Sequence, residues 1–577
     1  MHTLFLLASV LSSAVITPDN VQQLEVAWTY DTHDSTEPFR GGKPPGFEMT
    51  PAYADGQLYV SSPQGTVAAV DADSGAELWR VDLEVRRDAH YSDPQNRGPS
   101  VLGDRLFVGT IDARLVCLER RDGRRCPGFG KNGQLDLTRG LRHPPQWSGE
   151  YGITSAPAVY KDVVIVGPSV ADNSRVQMAS GEVRAFDAKT GDVRWTFHPL
   201  PADSKAGGAN AWSRIVVDDQ SGLVFVPTGS PSPDYYGGLR PGNTPFANSI
   251  VVLNASSGKV VWSFQTVHHD LWDYDVASPP LLWPGAKEPA VAVGSKTGHI
   301  FLFNRLTGAP LFPIVERAVP ASDIPGEQAA PTQPFPTKPA SLVPQQLSES
   351  DLWGATTDDL EACRKEFRSL RSGGIFTPPS LNGSVNVPGN IGGLHWGGLA
   401  WDSRNRLLIA PVNRLPAIVR LIPRNQFDTA RKEFPKRETT EQNGAPYSMS
   451  REFFFSPSGA PCIAPPWGEL VAIHADTGEP AWRVPLPTPE LGGPATTDNG
   501  LVFLGATLDG YFRAFDTSNG KELWKAKLPT SARATPLIFT SKSGRQMVAI
   551  AAGGHDYPQS KIDTKLVVFA LPQTAKP

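Results

Sequence analysis

Polar side chains with several chemical capabilities cluster in the segment QTVHHDLWDYD, residues 265–275. Its ionisable members are His268, His269, Asp270, Asp273 and Asp275. Adjacent residues on a strand point to opposite faces, so a His-His-Asp run makes a poor common metal chelate. A carboxylate on a loop or at a strand start can instead act as a general base. The alternative interpretation is a polar turn between two structural repeats.

Further candidates lie in short polar segments. SVADNSR places Asp172 and Asn173 in a predicted loop, where two oxygen donors suit Ca²⁺ or Mg²⁺, although an Asx turn is the alternative. Lys296 ends an apolar strand in VAVGSKTGHIFLF, and Asn390 and His555 occupy Gly-rich settings. The sequence has no GxSxG, HExxH or GxxxxGK[ST] motif, which disfavours hydrolases, zincins and nucleotide-binding proteins.

An internal repeat predicts the elements that position these residues. Each copy has an alternating apolar run that ends at a polar residue, a Gly four positions later and a Trp four positions beyond it. The five clear copies are 67–79, 183–195, 251–262, 470–482 and 512–524. A sixth, 300–312, has Phe312 in place of Trp, and 105–123 is a degenerate candidate.

The repeat has the signature of a hairpin. The apolar run predicts a strand with one buried face, and the segment around the Gly predicts a turn in which that Gly adopts positive φ. The Trp lies on the returning strand and is large enough to fill the space between stacked sheets. Such repeats predict the blades of a β-propeller, with a β-solenoid as the alternative.

Composition agrees with an all-β fold. The 577 residues include 54 glycines, 55 prolines and 9% aromatics, which excludes disorder, collagen and long coiled coils. A net charge of −4 without a long basic block argues against nucleic-acid partners. The stretch 314–400 breaks the repeat and contains a helical pattern at 358–372, so we expect a long insertion on one face of the disc.

The N-terminus and the cysteines bear on the cellular compartment. Residues 4–16 form an apolar run of signal-peptide length, shorter than the roughly 20 residues that span a bilayer. A buried first strand, or a start codon inside a longer gene product, is the alternative. We expect 1–15 to be a signal or anchor remnant and 16–577 to be one domain.

The four cysteines form no CxxC or CxxCH motif, so we expect no zinc site and no haem in this chain. An even count in an exported chain permits two disulfides. The predicted pairs are Cys117–Cys126 and Cys363–Cys462, with four reduced thiols as the alternative.

Long stretches of the sequence resemble the dehydrogenases that depend on pyrroloquinoline quinone (PQQ), specifically the membrane glucose, quinate, shikimate and polyol branch. The matching segments are SVADN, WSFQTVHHDLWDYD, SKTGHIFLFNR, PTQPF, DLWGAT, GIFTPPS, PGNIGG-x-x-WGG, LGGPATT and AAGGH. The resemblance covers nearly all of 16–572. It implies one eight-bladed propeller of W-type repeats with PQQ in a central funnel.

The resemblance also implies site residues. Asp270 matches the general base, and Lys296 matches a cation near the quinone oxygens. Asp172 and Asn173 match the ligands of a bound Ca²⁺ or Mg²⁺, while His269 and His555 are assigned to substrate. The implied cofactor contacts are His90, Arg97, Thr154, Ser155, Trp212, Lys296, Asn390 and Trp396.

Two departures from the family pattern are informative. The alcohol-dehydrogenase branch has a calcium-binding Asn in TGNPSP, whereas this sequence has Ser230 in TGSPSPD, and it lacks that branch's adjacent Cys-Cys pair. The glucose and quinate enzymes also have N-terminal transmembrane helices. Since this chain begins almost at the propeller, we expect a shed form, the catalytic half of a complex or a part of a longer protein.

The implied function is the oxidation of a hydroxyl group on a sugar, polyol or cyclitol. The expected location is the periplasm, at the outer face of the inner membrane. Electrons would pass to ubiquinone or a membrane subunit. The alternatives are a non-catalytic propeller that acts as a scaffold or sensor and, less favoured, a hydrolase.

Overall fold

The computed structural model describes residues 15–40, 42–435, 437–554 and 560–573. Eight antiparallel sheets follow one another along the chain, seven of four strands and one of three. Two short α-helices, Thr357–Phe367 and Phe427–Glu433, are the α-helical part of the described chain. The all-β prediction is therefore confirmed.

The eight sheets are numbered here in chain order. Sheets 1 to 4 consist of Ala52–Ala54, Gln57–Ser61, Thr66–Asp71, Glu77–Asp82; Ser100–Leu102, Arg105–Gly109, Arg114–Glu119, Gln134–Asp136; Ala158–Tyr160, Val163–Val166, Val183–Asp187, Val193–Phe197; and Val216–Asp218, Leu223–Pro227, Ser249–Asn254, Val260–Gln265. Sheets 5 to 8 consist of Leu281–Trp283, Ala290–Gly294, Ile300–Asn304; Ala400–Asp402, Leu407–Asn413, Gly468–His474, Pro480–Leu486; Ala495–Thr496, Leu501–Leu504, Tyr511–Asp516, Glu522–Lys527; and Leu537–Thr540, Gln546–Ala552, Lys565–Ala570, Glu25–Asp31.

Burial differs systematically across each sheet. Middle strands such as Ala290–Gly294 are buried on both faces, whereas fourth strands such as Glu77–Asp82 are largely exposed. Apolar residues of neighbouring sheets share one core cluster, as Ile165 of sheet 3 and Val224 of sheet 4 do. The hydrophobic core therefore lies between consecutive sheets.

Both ends of the chain contribute to sheet 8. The N-terminal strand Glu25–Asp31 pairs antiparallel with the last strand, Lys565–Ala570. The N-terminal strand therefore covers the edge that the last strand would otherwise expose. It also connects the start of the chain to the last sheet.

Tryptophan side chains join six pairs of consecutive sheets in the described chain. The indole N–H of Trp195 in sheet 3 donates to the carbonyl of Ala255, in the turn of sheet 4 (2.8 Å), and its ring lies against Gly258. Equivalent bonds link Trp28 to Ala72, Trp79 to Arg120, Trp262 to Arg305, Trp482 to Thr517 and Trp524 to Leu24. The repeat Gly is therefore needed for positive φ and for space under an indole.

Additional elements interrupt the series twice. Between sheets 5 and 6 lie the hairpin Ile314–Ala318 and Thr332–Pro336, the first α-helix and the strand Ser384–Asn386. The second interruption, 414–467, separates the second and third strands of sheet 6 and was not predicted. Its strands Ala417–Pro423, Tyr447–Phe453 and Glu438–Thr440 form one sheet with Ser384–Asn386, here called the inserted sheet.

The remaining regular elements are short. They are the strand pairs Gly46–Phe47 with Gln95–Asn96 and Tyr151–Gly152 with Ser169–Val170, and the 3₁₀ turns Val21–Gln23, Glu349–Asp351 and Arg424–Gln426. No helix in the described ranges is both long and apolar enough to cross a membrane.

Both predicted disulfides are confirmed. Cys117–Cys126 closes a hairpin in sheet 2, and Cys363–Cys462 joins the first helix to the end of the second interruption. The second bond closes a loop of 99 residues, so it restricts the unfolded chain more than the first.

The Trp–Gly contact predicts a selective stability effect. A Cβ on Gly258 would lie 2.6 Å from the Trp195 ring, whereas a Cβ on Gly544 would meet nothing within 4 Å, and both glycines have positive φ. Gly544→Ala should cost only the left-handed strain, about 1–2 kcal/mol. Gly258→Ala should cost about 1–3 kcal/mol more because of overpacking. Urea unfolding measures both values, and equal losses would contradict the contact.

Candidate active site

A cavity of about 580 Å³ lies where the segments that lead into the first strands of the sheets converge. Trp212 precedes sheet 4, Asp273 precedes sheet 5, Trp396 precedes sheet 6 and Arg533 precedes sheet 8, and all of them line it. The inserted sheet adds Arg451 to the wall. The cavity therefore collects residues from sequence-distant parts of the chain.

A buried cluster of charges forms one wall. Lys296 Nζ lies 2.6 Å from Asp273 Oδ1 and 2.8 Å from Asp275 Oδ2. Arg451 Nη1 lies 3.2 Å from Asp273 Oδ2 and also donates to the Tyr235 hydroxyl. Both oxygens of Asp273 therefore face a cation, and this fixes its carboxylate in one orientation.

Burial determines the electrostatics of this wall. Burial raises the pKa of Asp273 to about 7, although the charge of Lys296 opposes the rise. Burial alone would lower the pKa of Lys296, but Asp273 and Asp275 outweigh it and raise that pKa, so the ammonium stays charged.

The same cavity holds an excess of carboxylates. Asp172 and Asp234 line it together with Asp273 and Asp275. Burial and repulsion from Asp275 and Asp273 raise the pKa of Asp172 well above its usual range, and burial with repulsion from Asp172 does the same for Asp234. No three His, Cys, Asp or Glu side chains in the described ranges are already arranged as a chelate.

Two indoles and a guanidinium form another part of the wall. The Arg97 guanidinium lies 4.7 Å from the centre of the Trp396 ring and 5.5 Å from that of Trp212. Arg97 also pairs with Glu48 (3.3 Å) and donates to the Thr154 hydroxyl (2.9 Å). Trp212 donates its indole N–H to Asp275 Oδ2 (3.1 Å), which couples this wall to the charged one.

Several predicted site residues do line the cavity. They are Asp172, Asn173, Lys296, Arg97, Trp212, Asn390 and Trp396. Thr154 and Ser155 lie behind this surface, where both hydroxyls donate to the Trp212 carbonyl. Their position supports the indole and does not place them on the cavity itself.

Asp270, the predicted general base, is not among the residues that line the cavity. It is 1% exposed, and its carboxylate accepts hydrogen bonds from Ser230 Oγ (2.5 Å) and from the backbone N–H groups of Trp272 and Tyr274. These bonds brace the turn that follows it. Asp273 and Asp275, three and five residues later, are the members of the segment that line the cavity beside Lys296.

Two predicted histidines also lie elsewhere, and a third cannot be placed. His269 is buried against Glu327, with Nε2 2.8 Å from Oε1, and is outside the cavity lining. His90 is exposed and likewise does not line it. His555 falls outside the described residues.

Sequence reasoning missed part of the wall. Asp234 ends the segment TGSPSPD, in which the sequence analysis considered only Ser230. A carboxylate directly after this turn is the feature that could have indicated it. Arg451, Glu438 and Arg533 lie in segments with no distinctive pattern. Their approach to the cavity depends on the inserted sheet and on the return of sheet 8 toward sheet 1.

The donor set fits a flat, anionic aromatic ligand together with a divalent cation. Two indole faces suit stacking, and Arg97 and Lys296 suit carboxylate or quinone oxygens. Both amide atoms of Asn173 and Oδ1 of Asp234 are buried without a hydrogen-bond partner. Oxygen donors among excess carboxylates are what Ca²⁺ and Mg²⁺ require.

Comparison with known proteins identifies the kind of site. Residues 11–548 match the family model described as glucose/ethanol/alcohol dehydrogenase, beta-propeller domain, under the family name PQQ. The quinate/shikimate dehydrogenase (quinone) of Acinetobacter baylyi is 34% identical over 93% of this chain and 74% of its own length. The quinoprotein glucose dehydrogenase of Escherichia coli is 35% identical over 97% and 77%.

A related subunit and a solved structure complete the picture. The glycerol dehydrogenase large subunit of Gluconobacter oxydans is 33% identical over 96% of this chain and 83% of its own length. The crystal structure of quinohemoprotein alcohol dehydrogenase from Comamonas testosteroni superposes with a TM-score of 0.70 at 23% identity, covering 97% of this chain and 78% of that one. At that identity it supports the fold alone.

The charged wall predicts a pH-dependent stability effect. Lys296→Met removes the ammonium between Asp273 and Asp275 and should cost about 3–5 kcal/mol at pH 8. The cost should shrink toward pH 6, because Asp273, with a pKa of about 7, then takes up a proton. Urea unfolding at both pH values measures the loss. The exposed Lys259→Met is the control, and equal stability of the two variants would contradict the buried pair.

Proposed function

The chain belongs to the PQQ-dependent dehydrogenase family, as an oxidoreductase that acts on alcohols or sugars, and on this premise we propose that it oxidises a hydroxyl group of a sugar, polyol or cyclitol. The observation that supports this most directly is the fixed Asp273 carboxylate beside Lys296 on a cavity walled by two indoles. The eight sheets, joined by Trp contacts, would be the eight W-type blades of one propeller formed by 16–577.

The indole walls supply the cofactor site in this proposal. Trp212 and Trp396 would hold the flat ring system of PQQ, and Arg97 would bind one of its carboxylates. Bound PQQ supplies a quinone that accepts a hydride from the alcohol carbon. Lys296 Nζ, 5.7 Å from the centre of the Trp212 ring, places a positive charge next to that wall, where it would favour developing negative charge on oxygen.

Asp273 acts as the general base in this site. Its carboxylate lines the cavity and is oriented by Lys296 and Arg451, so it can accept the proton of a substrate hydroxyl. Arg451 reaches it from the inserted sheet, and Glu438 in turn holds Arg451 through two bonds of 2.7 and 2.9 Å. Asp270 serves to brace the turn that presents Asp273.

Charge pairing favours an uncharged substrate. The five cations that line the cavity in the described chain are each paired with a carboxylate: Lys43 with Asp93, Arg97 and Arg533 with Glu48, Lys296 with Asp273 and Asp275, and Arg451 with Asp273 and Glu438. Arg97 is in addition assigned to PQQ, so a substrate carboxylate would have to share one of the other cations with its carboxylate partner. We therefore favour a neutral sugar or polyol over a carboxylated cyclitol.

The remaining parts of the proposal concern the surroundings of the enzyme. Two disulfides fit an oxidising compartment such as the periplasm. The names of two relatives include a quinone, which supports a quinone as electron acceptor. The outer face of the inner membrane is our proposed location. A bound Ca²⁺ or Mg²⁺ would act as a Lewis acid near the cofactor.

Exchange of the two neighbouring aspartates tests the assigned base. Asp273→Asn should still bind PQQ, which absorbance measures. It should lower kcat by about 10²–10⁴-fold, because the proton acceptor is lost. Asp270→Asn should lower the unfolding midpoint, with a much smaller effect on kcat. The reverse pattern, a large kcat loss only in Asp270→Asn, would return the role of base to Asp270.

A dye-linked oxidation screen tests the substrate. Protein loaded with PQQ and Ca²⁺ or Mg²⁺ is offered glucose, other aldoses, glycerol, sorbitol, inositol, quinate and shikimate. We expect a higher kcat/KM for a neutral member than for quinate or shikimate. Preference for a carboxylate would refute the charge argument, and no turnover with PQQ bound would refute the proposed substrate class.

A further inference from the structure

The position that differs from the alcohol-dehydrogenase pattern, Ser230, is already engaged with three polar neighbours. Its hydroxyl donates to Asp270 Oδ2 (2.5 Å) and lies 3.1 Å from Asp275 Oδ1, and it accepts from Asn248 Nδ2 (3.0 Å). One hydroxyl provides one donor and two acceptor sites. Ser230 therefore bridges two carboxylates and an amide.

Asp234, four residues later, has the opposite properties. It is 3% exposed, it lines the cavity and its Oδ1 has no hydrogen-bond partner. Nearby on the same cavity, both side-chain atoms of Asn173 are also unpartnered. Buried polar atoms without partners are unfavourable, so such atoms facing one cavity point to a missing ligand.

The backbone brings these two segments together. Gly208 has φ +68, and a Cβ there would lie 3.2 Å from both Asp172 Cβ and the Ser232 backbone nitrogen. Ser232 Oγ in turn donates to the Val176 carbonyl and accepts from the Gly207 N–H. The loop that holds Asp172 and the loop that holds Asp234 therefore both contact the segment 207–208. The Ser232 hydroxyl hydrogen-bonds both the first loop and this segment.

Carboxylates outnumber cations in this part of the cavity. Four aspartates, Asp172, Asp234, Asp273 and Asp275, line this part of the cavity, against the cations Lys296 and Arg451. The two cations pair with Asp273 and Asp275, whereas the described structure contains no ion pair for Asp172 or Asp234. Two carboxylates that line one cavity without a cation partner suit a divalent cation.

We propose that Asp234 is a third protein ligand of a divalent cation that is also held by Asp172 and Asn173. Asp234 would then take over the role of the calcium-binding Asn of the alcohol-dehydrogenase branch. That Asn is Ser230 in this chain, and Asp234 lies four residues further on in the same segment. The proposal rests on the cation of the proposed function and not on the identity of the substrate.

Metal binding can be measured without turnover. Protein stripped with EDTA and then freed of it is titrated with CaCl₂ and with MgCl₂ by calorimetry, in the absence and presence of PQQ. Asp234→Asn keeps the shape and removes the charged ligand, so the affinity for the preferred cation should fall by roughly 30-fold or more, in line with the 10–100-fold cost of losing even outer-shell partners.

Asp93→Asn is the matched control. Asp93 lines the same cavity and carries the same charge, but it is bonded by Ser169 and faces Lys43. Its loss should reduce affinity by no more than roughly threefold, as expected for a change in the general field. Equal losses in the two variants, or no loss in Asp234→Asn, would overturn the proposal.

Thermal unfolding separates a ligand from a structural residue. In EDTA, Asp234→Asn should melt at the same temperature as the wild type or higher, since it removes a repelled buried charge. The increase in Tm that Ca²⁺ or Mg²⁺ gives the wild type should be largely lost. A lower Tm in EDTA with an unchanged increase on adding metal would make Asp234 structural. A wild type that binds neither cation, with or without PQQ, would refute the site, whereas an inactive enzyme that still binds metal would refute only the proposed function.

Discussion

The contact between a tryptophan of one sheet and the turn of the next is the constraint on which the rest of the molecule depends. In five of these contacts the indole N–H donates to a carbonyl of the next sheet and the ring covers a glycine that has no room for a side chain. Both the spacing and the rotation between consecutive sheets are thereby fixed. The pairing of the N-terminal strand with the last strand of sheet 8 also holds the two ends of the series together.

This regularity is what makes the irregular centre possible. Loops from several sheets line one cavity, and they hold charged groups whose burial is unfavourable on its own, among them Asp172, Asp234, Asp273, Asp275 and Lys296. Removing such charges from water costs several kcal/mol per ion, and mutual pairing offsets only part of that cost. A rigid frame keeps the unpaired carboxylates in place, where bound ligands can supply the missing charge.

The repeat, the all-β class and both disulfides were predictable from sequence, because each depends on local patterns or on a small number of combinations. The choice between Asp270 and Asp273 was not. A prediction from the alternation of residue types assumes an extended strand. His269 and Asp273, however, have φ values of 44° and 61°, so the backbone departs from the extended conformation within HHDLWDYD. Which carboxylate faces the cavity is therefore decided by backbone conformations that residue types at this spacing do not specify.

Arg451 is a second residue whose place at the cavity the sequence did not indicate, because it is supplied by the inserted sheet. It comes from the inserted sheet, which interrupts sheet 6 and is tied to the first helix by Cys363–Cys462. Its guanidinium holds Asp273 on one side and Glu438 on the other. Changes in the inserted sheet can thus alter the cavity wall and the electrostatic setting of Asp273 together, while the sheets that position Lys296 and the two indoles stay unchanged. Arg451 therefore links the inserted sheet to the carboxylate that we propose as the general base.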